Sequence, residues 1–408
     1  MKILIYGINF WPELTGIGKY SGELAFWLDN KRHEVRVITA PPYYPSWKVG
    51  NGYSTFRYSK ERLFNGGQVW RCPLWVPSSP SGLKRIIHLL SFAFFSFPLA
   101  LAQIFWRPNV VVVVEPSFFC VPSALLVAFL SRAKSWLHIQ DFEIDAAFEL
   151  GIIKFNFLKK LCLFTEKILM DRFCKISTIS EKMMDRLSIK NVKKDKIVFF
   201  PNWVDLDLIK PEYGNNVFRK EFNIDDSTIV ALYSGNMGEK QGLEIIIEAA
   251  QYFHSNDRII FVMCGDGSSR AQLKEKATGL KNVIWLPLQP TSRLNDLLNM
   301  ADLHLLPQRS GTEDLVMPSK LVGMLASGRP IVATAGEGTQ VAALVKDFGY
   351  VTPPGNLYKF VNSIHSLAFN ADMRKQFGQR AHLYATKCLG RESVLGMFEK
   401  ELTVLLDK

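Results

Sequence analysis

The chain has 408 residues, of which 48% are hydrophobic, and a formal net charge of +11. That length and core supply predict two or three globular domains and exclude a disordered or low-complexity chain; no internal repeat at a solenoid period is present. The charge is uneven: residues 1–200 hold 27 Lys/Arg and 15 Asp/Glu, a net of +12, whereas residues 201–408 hold 22 and 23, a net of −1. Such a field in the first half attracts phosphate, whether in nucleic acid, anionic lipid headgroups or a pyrophosphate-linked substrate. The six cysteines form no C-x-x-C pair and no Cys/His cluster of zinc spacing. They read as small hydrophobes of a reducing compartment. The N-terminus, MKILIYGINFWPEL, starts as a strand and lacks the apolar core of a signal peptide, which predicts a cytosolic body.

In chain order, Ile3–Ile8 reads as a buried parallel strand, about Lys19 to Asn30 as a helix, and Glu34–Thr39 as a second strand. Val110–Glu115, Ser135–Ile139, Ile176–Ile179 and Ile197–Phe200 continue the set. A break at Pro201–Asp205 and a polar linker follow. The alternation then restarts with strands Ile229–Tyr233, Ile259–Met263, Val283–Leu286, Leu303–Leu306 and Ile331–Ala333, and Arg391–Leu406 reads as a terminal helix. The pattern predicts an α/β protein of two doubly wound, Rossmann-like domains facing a central cleft. The expected boundaries are 1–205, a linker at 206–225, and 226–408, with the terminal helix returning to the first domain.

The run 86–106 carries no formal charge over 21 residues, so its length permits a bilayer crossing. Pro98, the polar His88, Ser91, Ser96 and Gln103, and the strand-like segments on both sides argue against one. A helix or helical hairpin lying in the membrane interface, flanked by Lys84, Arg85 and Arg107, is expected instead. Residues 157–175 form a basic amphipathic stretch for which an ordinary core helix is the simpler reading.

Four segments carry candidate chemistry. Thr15–Gly22 places Gly16, Ile17 and Gly18 between the first strand and helix, where glycine lets backbone amides approach phosphate. Its spacing departs from a dinucleotide fingerprint, and the second strand ends in Thr39-Ala40 without an acid, so NAD is not expected. Ser234–Gly242 places Gly235, Asn236 and Lys240 after the first strand of the second half, and Gly265 follows in the Cys264–Gly267 turn. Asp314–Leu321 brings Met317, Pro318, Ser319 and Lys320 to a helix start, where amides lack intrahelical partners. His138–Asp145 ends a strand. There Asp141 is the best candidate to orient or deprotonate a hydroxyl, with Glu143 beside it and Glu115 at the end of the neighbouring strand. Asp205-Leu206-Asp207 has D-x-D form but follows a Pro-Asn turn, so a turn is expected there and no metal.

In order along the chain, the loop at 15–22, HIQDFEIDAAFELG (138–151), FFPNWVD (199–205), SGNMGEKQGLE (234–244), MCGDG (263–267), ADLHLLP (301–307) and PSKLVGMLASGRPIVAT (318–334) resemble glycosyltransferases of the GT-B fold, family 4. They are most similar to the colanic-acid-type, fucosyltransferase-like enzymes of exopolysaccharide assembly. The resemblance implies a first domain that binds an acceptor through Gly16, Ile17, Gly18, Glu115 and His138, with Asp141 and Glu143 catalytic. It implies a second domain that binds a nucleotide sugar through Gly235, Asn236, Lys240, Gly265, Met317, Pro318, Ser319 and Lys320. Transfer would be retaining and metal-independent, without a cofactor, from a donor such as GDP-fucose to a lipid-linked saccharide at the inner leaflet. The family's paired glutamates match Leu315 and Gly323 here, and its cationic clamp matches Asn236 and Gln241. Rival readings are a nucleotide-sugar epimerase of the same fold, a membrane scaffold with a degenerate site, and a nucleic-acid binder. The last lacks a recognition module.

Overall fold

The computed structural model describes residues 1–14, 16–79, 81–142, 156–256, 258–309 and 318–407. By contacts the chain divides into two units, one of Met1–Pro201 with Leu395–Lys408 and one of Asn202–Val394.

The first unit is built on a sheet of β1 (Lys2–Tyr6), β2 (Glu34–Thr39), β3 (Ser59–Arg62), β4 (Gln68–Arg71), β5 (Val110–Glu115), β6 (Lys134–Ile139), β7 (Lys175–Thr178) and β8 (Ile197–Phe199). Their spatial order is β3-β4-β2-β1-β5-β6-β7-β8. All neighbours are parallel except β3 and β4. Strands covered on both faces need side chains that tolerate complete burial, and Val110 to Val113 are 0% exposed. The terminal helix Arg391–Asp407 returns to this unit: Phe398 stacks on Phe200 at 4.6 Å and meets Trp136 edge-on at 4.9 Å.

The second unit holds β9 (Ile229–Ser234), β10 (Ile259–Cys264), β11 (Val283–Leu286), β12 (Leu303–Leu306), β13 (Ile331–Thr334) and β14 (Gly349–Thr352). They are all parallel, in the order β11-β10-β9-β12-β13-β14. Its core joins Ala231, Tyr233, Phe261 and Met263 of the strands to Ile246 and Phe360 of the covering helices.

Every strand read from the sequence forms within two residues of its expected bounds. Three strands escaped. β3 and β4 are a short antiparallel pair carrying Arg62, Gln68 and Arg71, too polar and too short to read as buried runs, and β14 is four residues long. Of the helix or helical hairpin expected at 86–106, the single helix forms: Gly82–Ala102, running through Pro98 into a 3-10 turn at Gln103–Trp106. The first helix begins at Gly16, three residues earlier than expected, and Gly18 in its first turn packs directly on Glu13: a Cβ there would stand 2.4 Å from Glu13 Oε2.

Candidate active site

In each sheet the strand order reverses once, between β1 and β5 and between β9 and β12. Open α/β sheets bind ligands at the carboxyl ends of the strands beside that reversal. In the second unit this place is built from backbone. Gly235, Gly265 and Gly267 have φ of +148°, +139° and +153°. A Cβ on Gly265 would lie 1.9 Å from Gly235 O, and one on Gly267 would lie 2.5 Å from Met237 O. The loops after β9 and β10 therefore touch only because both are glycine-lined. Hydrogen bonds then stitch them: Gly235 N–H to Cys264 O at 3.0 Å, Met237 N–H to Asp266 O at 2.8 Å and Ser269 N–H to Met237 O at 2.9 Å.

Lys320 completes this corner. Its Nζ lies 4.3 Å from the centre of the Tyr233 ring, and its Cδ is 3.3 Å from where a Gly235 Cβ would be. The Tyr233 hydroxyl donates to Asn236 O, which fixes the ring under the ammonium. Among the described residues no carboxylate lies within ion-pair distance of Lys320. Burial pushes its pKa down to about 7. A desolvated cation with a π face and no counter-ion favours an incoming anion. Asn236 is exposed, Pro318 half-buried and Ser319 exposed at the entrance to the helix Lys320–Ala326, where Leu321 N–H donates to Pro318 O at 3.0 Å. Lys240 falls in a 3-10 turn, Glu239–Gln241, and the next helix starts at Glu244, after Gly242 turns left-handed. The Lys240 side chain, Met317 and Leu315 lie outside the described residues. Gly323 faces Leu298 and Ile209 at ordinary contact distance.

At the first unit's reversal the chain places side chains. Glu13 is buried; its Oε1 accepts the amides of Tyr43 at 3.0 Å and Tyr44 at 2.9 Å, and its Oε2 accepts Asn9 Nδ2 at 2.9 Å. Burial raises its pKa, and the two amides oppose that rise by holding the carboxylate charged. Arg71, fully buried at the end of β4, donates to Ala40 O at 3.0 Å, Trp11 O at 2.6 Å and both oxygens of Glu61. These two residues tie the loops after β1, β2 and β4 together. Gly16 has φ +59°, a Cβ on it would lie 3.8 Å from the Tyr44 ring, and Ile17 is half-buried beside it.

Glu115 is buried at the end of β5, and Asp141 is half-buried just beyond β6, so both leave the same carboxyl edge. His138 is placed otherwise. It is buried between β6 and β7, with Nδ1 2.9 Å from Ser177 Oγ, Nε2 3.0 Å from Gln140 Nε2, and its ring packed on Phe200. Burial drives its pKa down to about 3. Both ring nitrogens have partners inside the fold. Glu143 lies outside the described residues. Asp205 forms the expected turn, its Oδ1 accepting Asp207 N–H at 3.0 Å. Among the described residues no three His, Cys, Asp or Glu gather as a metal site.

Two family models divide the chain much as the contacts do: the glycosyl transferase 4-like domain matches residues 15–203, and glycosyl transferases group 1 matches residues 215–383. WcaI of Escherichia coli K12, a protein assigned as a colanic acid biosynthesis glycosyl transferase, is 41% identical over 98% of this chain and 100% of its own length. The chain is a family 4 glycosyltransferase of the GT-B fold. Solved structures agree on the fold. Sucrose-phosphate synthase of Thermosynechococcus elongatus, at 14% identity, covers 99% of the chain and 100% of its own with a TM-score of 0.73. HepE of Anabaena, solved with UDP and glucose, is 13% identical with the same coverage and a TM-score of 0.69.

Glu13 and Arg71 were not singled out in the sequence. A buried acid beside Pro12 in an aromatic loop, and an arginine ending a β-alternating tetrapeptide, were the available hints. Neither hint names the loop partners that Tyr43, Tyr44, Ala40 and Trp11 supply, which lie 30 to 60 residues away along the chain.

Proposed function

We propose that the enzyme transfers a sugar from a nucleoside diphosphate sugar, with GDP-fucose as the first candidate, to a lipid-linked saccharide during exopolysaccharide assembly. Transfer retains the anomeric configuration and needs no metal. The observation that carries the reading is Lys320 held over Tyr233 against the glycine corner of β9 and β10. There a half-buried ammonium, without a carboxylate partner among the described residues, can take up the charge of the departing diphosphate. Gly235, Asn236, Gly265, Pro318 and Ser319 border the same corner, with Lys240 and Met317 contributing from outside the described residues. Asp141 faces the acceptor hydroxyl from the carboxyl edge of the first sheet, Glu143 follows it two residues on in sequence, and Gly16, Ile17, Gly18 and Glu115 shape the acceptor's place. The colanic acid assignment of WcaI supports the polysaccharide context. The UDP held by HepE supports a nucleotide carrier while leaving the base of this one to experiment.

The test is product analysis with labelled GDP-fucose and UDP-hexoses, a lipid-linked saccharide, and EDTA throughout. A glycosylated lipid of unchanged anomeric configuration is expected. A free altered nucleotide sugar with no glycosylated lipid would convert the reading to an epimerase, and dependence on a divalent ion would remove the metal-independent step.

A further inference from the structure

The helix Gly82–Ala102 is built inside out for a soluble protein. The residues it turns inward include its polar ones: His88 Nδ1 lies 2.6 Å from Trp75 O, Ser96 Oγ bonds Tyr6 Oη, and Gln103 just beyond its end accepts Arg36 Nη1 at 2.9 Å. With Phe92 and Ala100 these form one buried stripe. The outward face is aromatic and aliphatic: Leu83, Ile87, Leu90, Phe94, Phe95 and Phe97 are exposed, Phe94 to 74%. The next helix, Val121–Ser131, packs against it and exposes Leu126, Phe129 and Leu130. Between the two runs an apolar groove of about 600 Å³, lined by Leu90, Phe94, Phe97, Phe119 and Leu126.

A third helix joins them. Asn156–Asp171 exposes Phe157, Leu161, Phe164 and Ile168, a stripe at helical spacing. This departs from a core helix, which would bury that stripe. The crossovers β4 to β5, β5 to β6 and β6 to β7 all step the same way along a parallel sheet, and right-handed crossovers put their helices on one face. Cations border the apolar surface: Lys84 and Arg85 at one helix start, Arg132 after the second helix, and Lys160 and Lys167 beside the third stripe, all exposed.

We infer that this three-helix face docks in the interface of an anionic bilayer. Apolar side chains enter the acyl boundary and the lysines and arginines meet headgroups. A transmembrane crossing is incompatible with the fold, because β4 and β5, which flank the long helix, belong to one sheet. A second copy is a poor occupant, since it would bring two strongly basic halves face to face. Docking would hold the acceptor edge of the first sheet at the surface where a lipid-linked saccharide presents its sugar. The inference is independent of donor and acceptor, because binding to vesicles requires no turnover.

Co-sedimentation of the full chain with phosphatidylcholine vesicles, and with vesicles containing phosphatidylglycerol, tests it. Binding to the anionic vesicles is expected to exceed binding to the neutral ones at least tenfold. Phe94→Glu with Phe97→Glu, both at exposed positions, should lower anionic binding at least tenfold with the thermal transition unchanged. Lys160→Glu with Lys167→Glu should remove the preference for anionic lipid. Wild-type binding by the Phe94/Phe97 variant would overturn the inference. So would a stable dimer in lipid-free solution that the same variant dissolves.

Discussion

At the reversal of the second sheet, glycines let two loops touch and Lys320 stands against them; at the reversal of the first sheet, Glu13 and Arg71 reach across three loops. A donor's diphosphate is a compact anion, and close backbone approach plus one desolvated ammonium suits it. An acceptor's hydroxyl needs a base in a defined place, and that place must be held by loops fixed from several directions. The two edges should therefore fail differently when altered.

The largest separation is expected from Asp141→Asn. Loss of a general base costs about 10²- to 10⁴-fold in turnover, while nucleotide affinity, read by calorimetry on the same sample, should stay within twofold. Equal loss of both would merge the two edges into one. Arg71→Met comes next. It strands the carbonyls of Trp11 and Ala40 and the partly exposed Glu61 carboxylate, a loss of roughly 1–3 kcal/mol for acceptors left unpaired. Denaturant unfolding should show the first unit weakened while nucleotide binding by the second persists.

Gly265→Ala should produce the opposite pattern. Its φ of +139° and the 1.9 Å approach to Gly235 O impose roughly 1–3 kcal/mol of backbone strain besides the clash. Nucleotide binding should fall well before the first unit's stability does.

The smallest effect is a pH slope. Burial has lowered the Lys320 pKa to about 7 in the empty protein, and a bound diphosphate favours the charged form and raises it again. Binding then takes up a proton above pH 7, so nucleotide affinity should fall as pH rises, by up to about tenfold per unit. A flat profile from pH 7 to 9 would detach Lys320 from the phosphates.

The comparison also explains what was legible in the sequence. Buried parallel strands announce themselves as apolar runs, so Val110–Glu115 and Ile259–Cys264 could be located from residues alone. The glycine corner was legible because Gly235 and Gly265 are local signals, each just past a strand end. The first edge was not, because Arg71 and Glu13 matter through partners brought near only by the fold. Lys320 was named from its motif, whereas its seat over Tyr233 needed the packed structure.

The central claim is that Lys320 and the glycine corner bind a nucleoside diphosphate. Calorimetric titration of GDP, UDP, ADP and NAD into the wild-type protein and Lys320→Ala tests it most directly. Selective binding of GDP or UDP, weakened at least tenfold in a folded Lys320→Ala variant, is the predicted result; equal affinity in the two proteins, or no nucleotide bound by folded wild type, would contradict it.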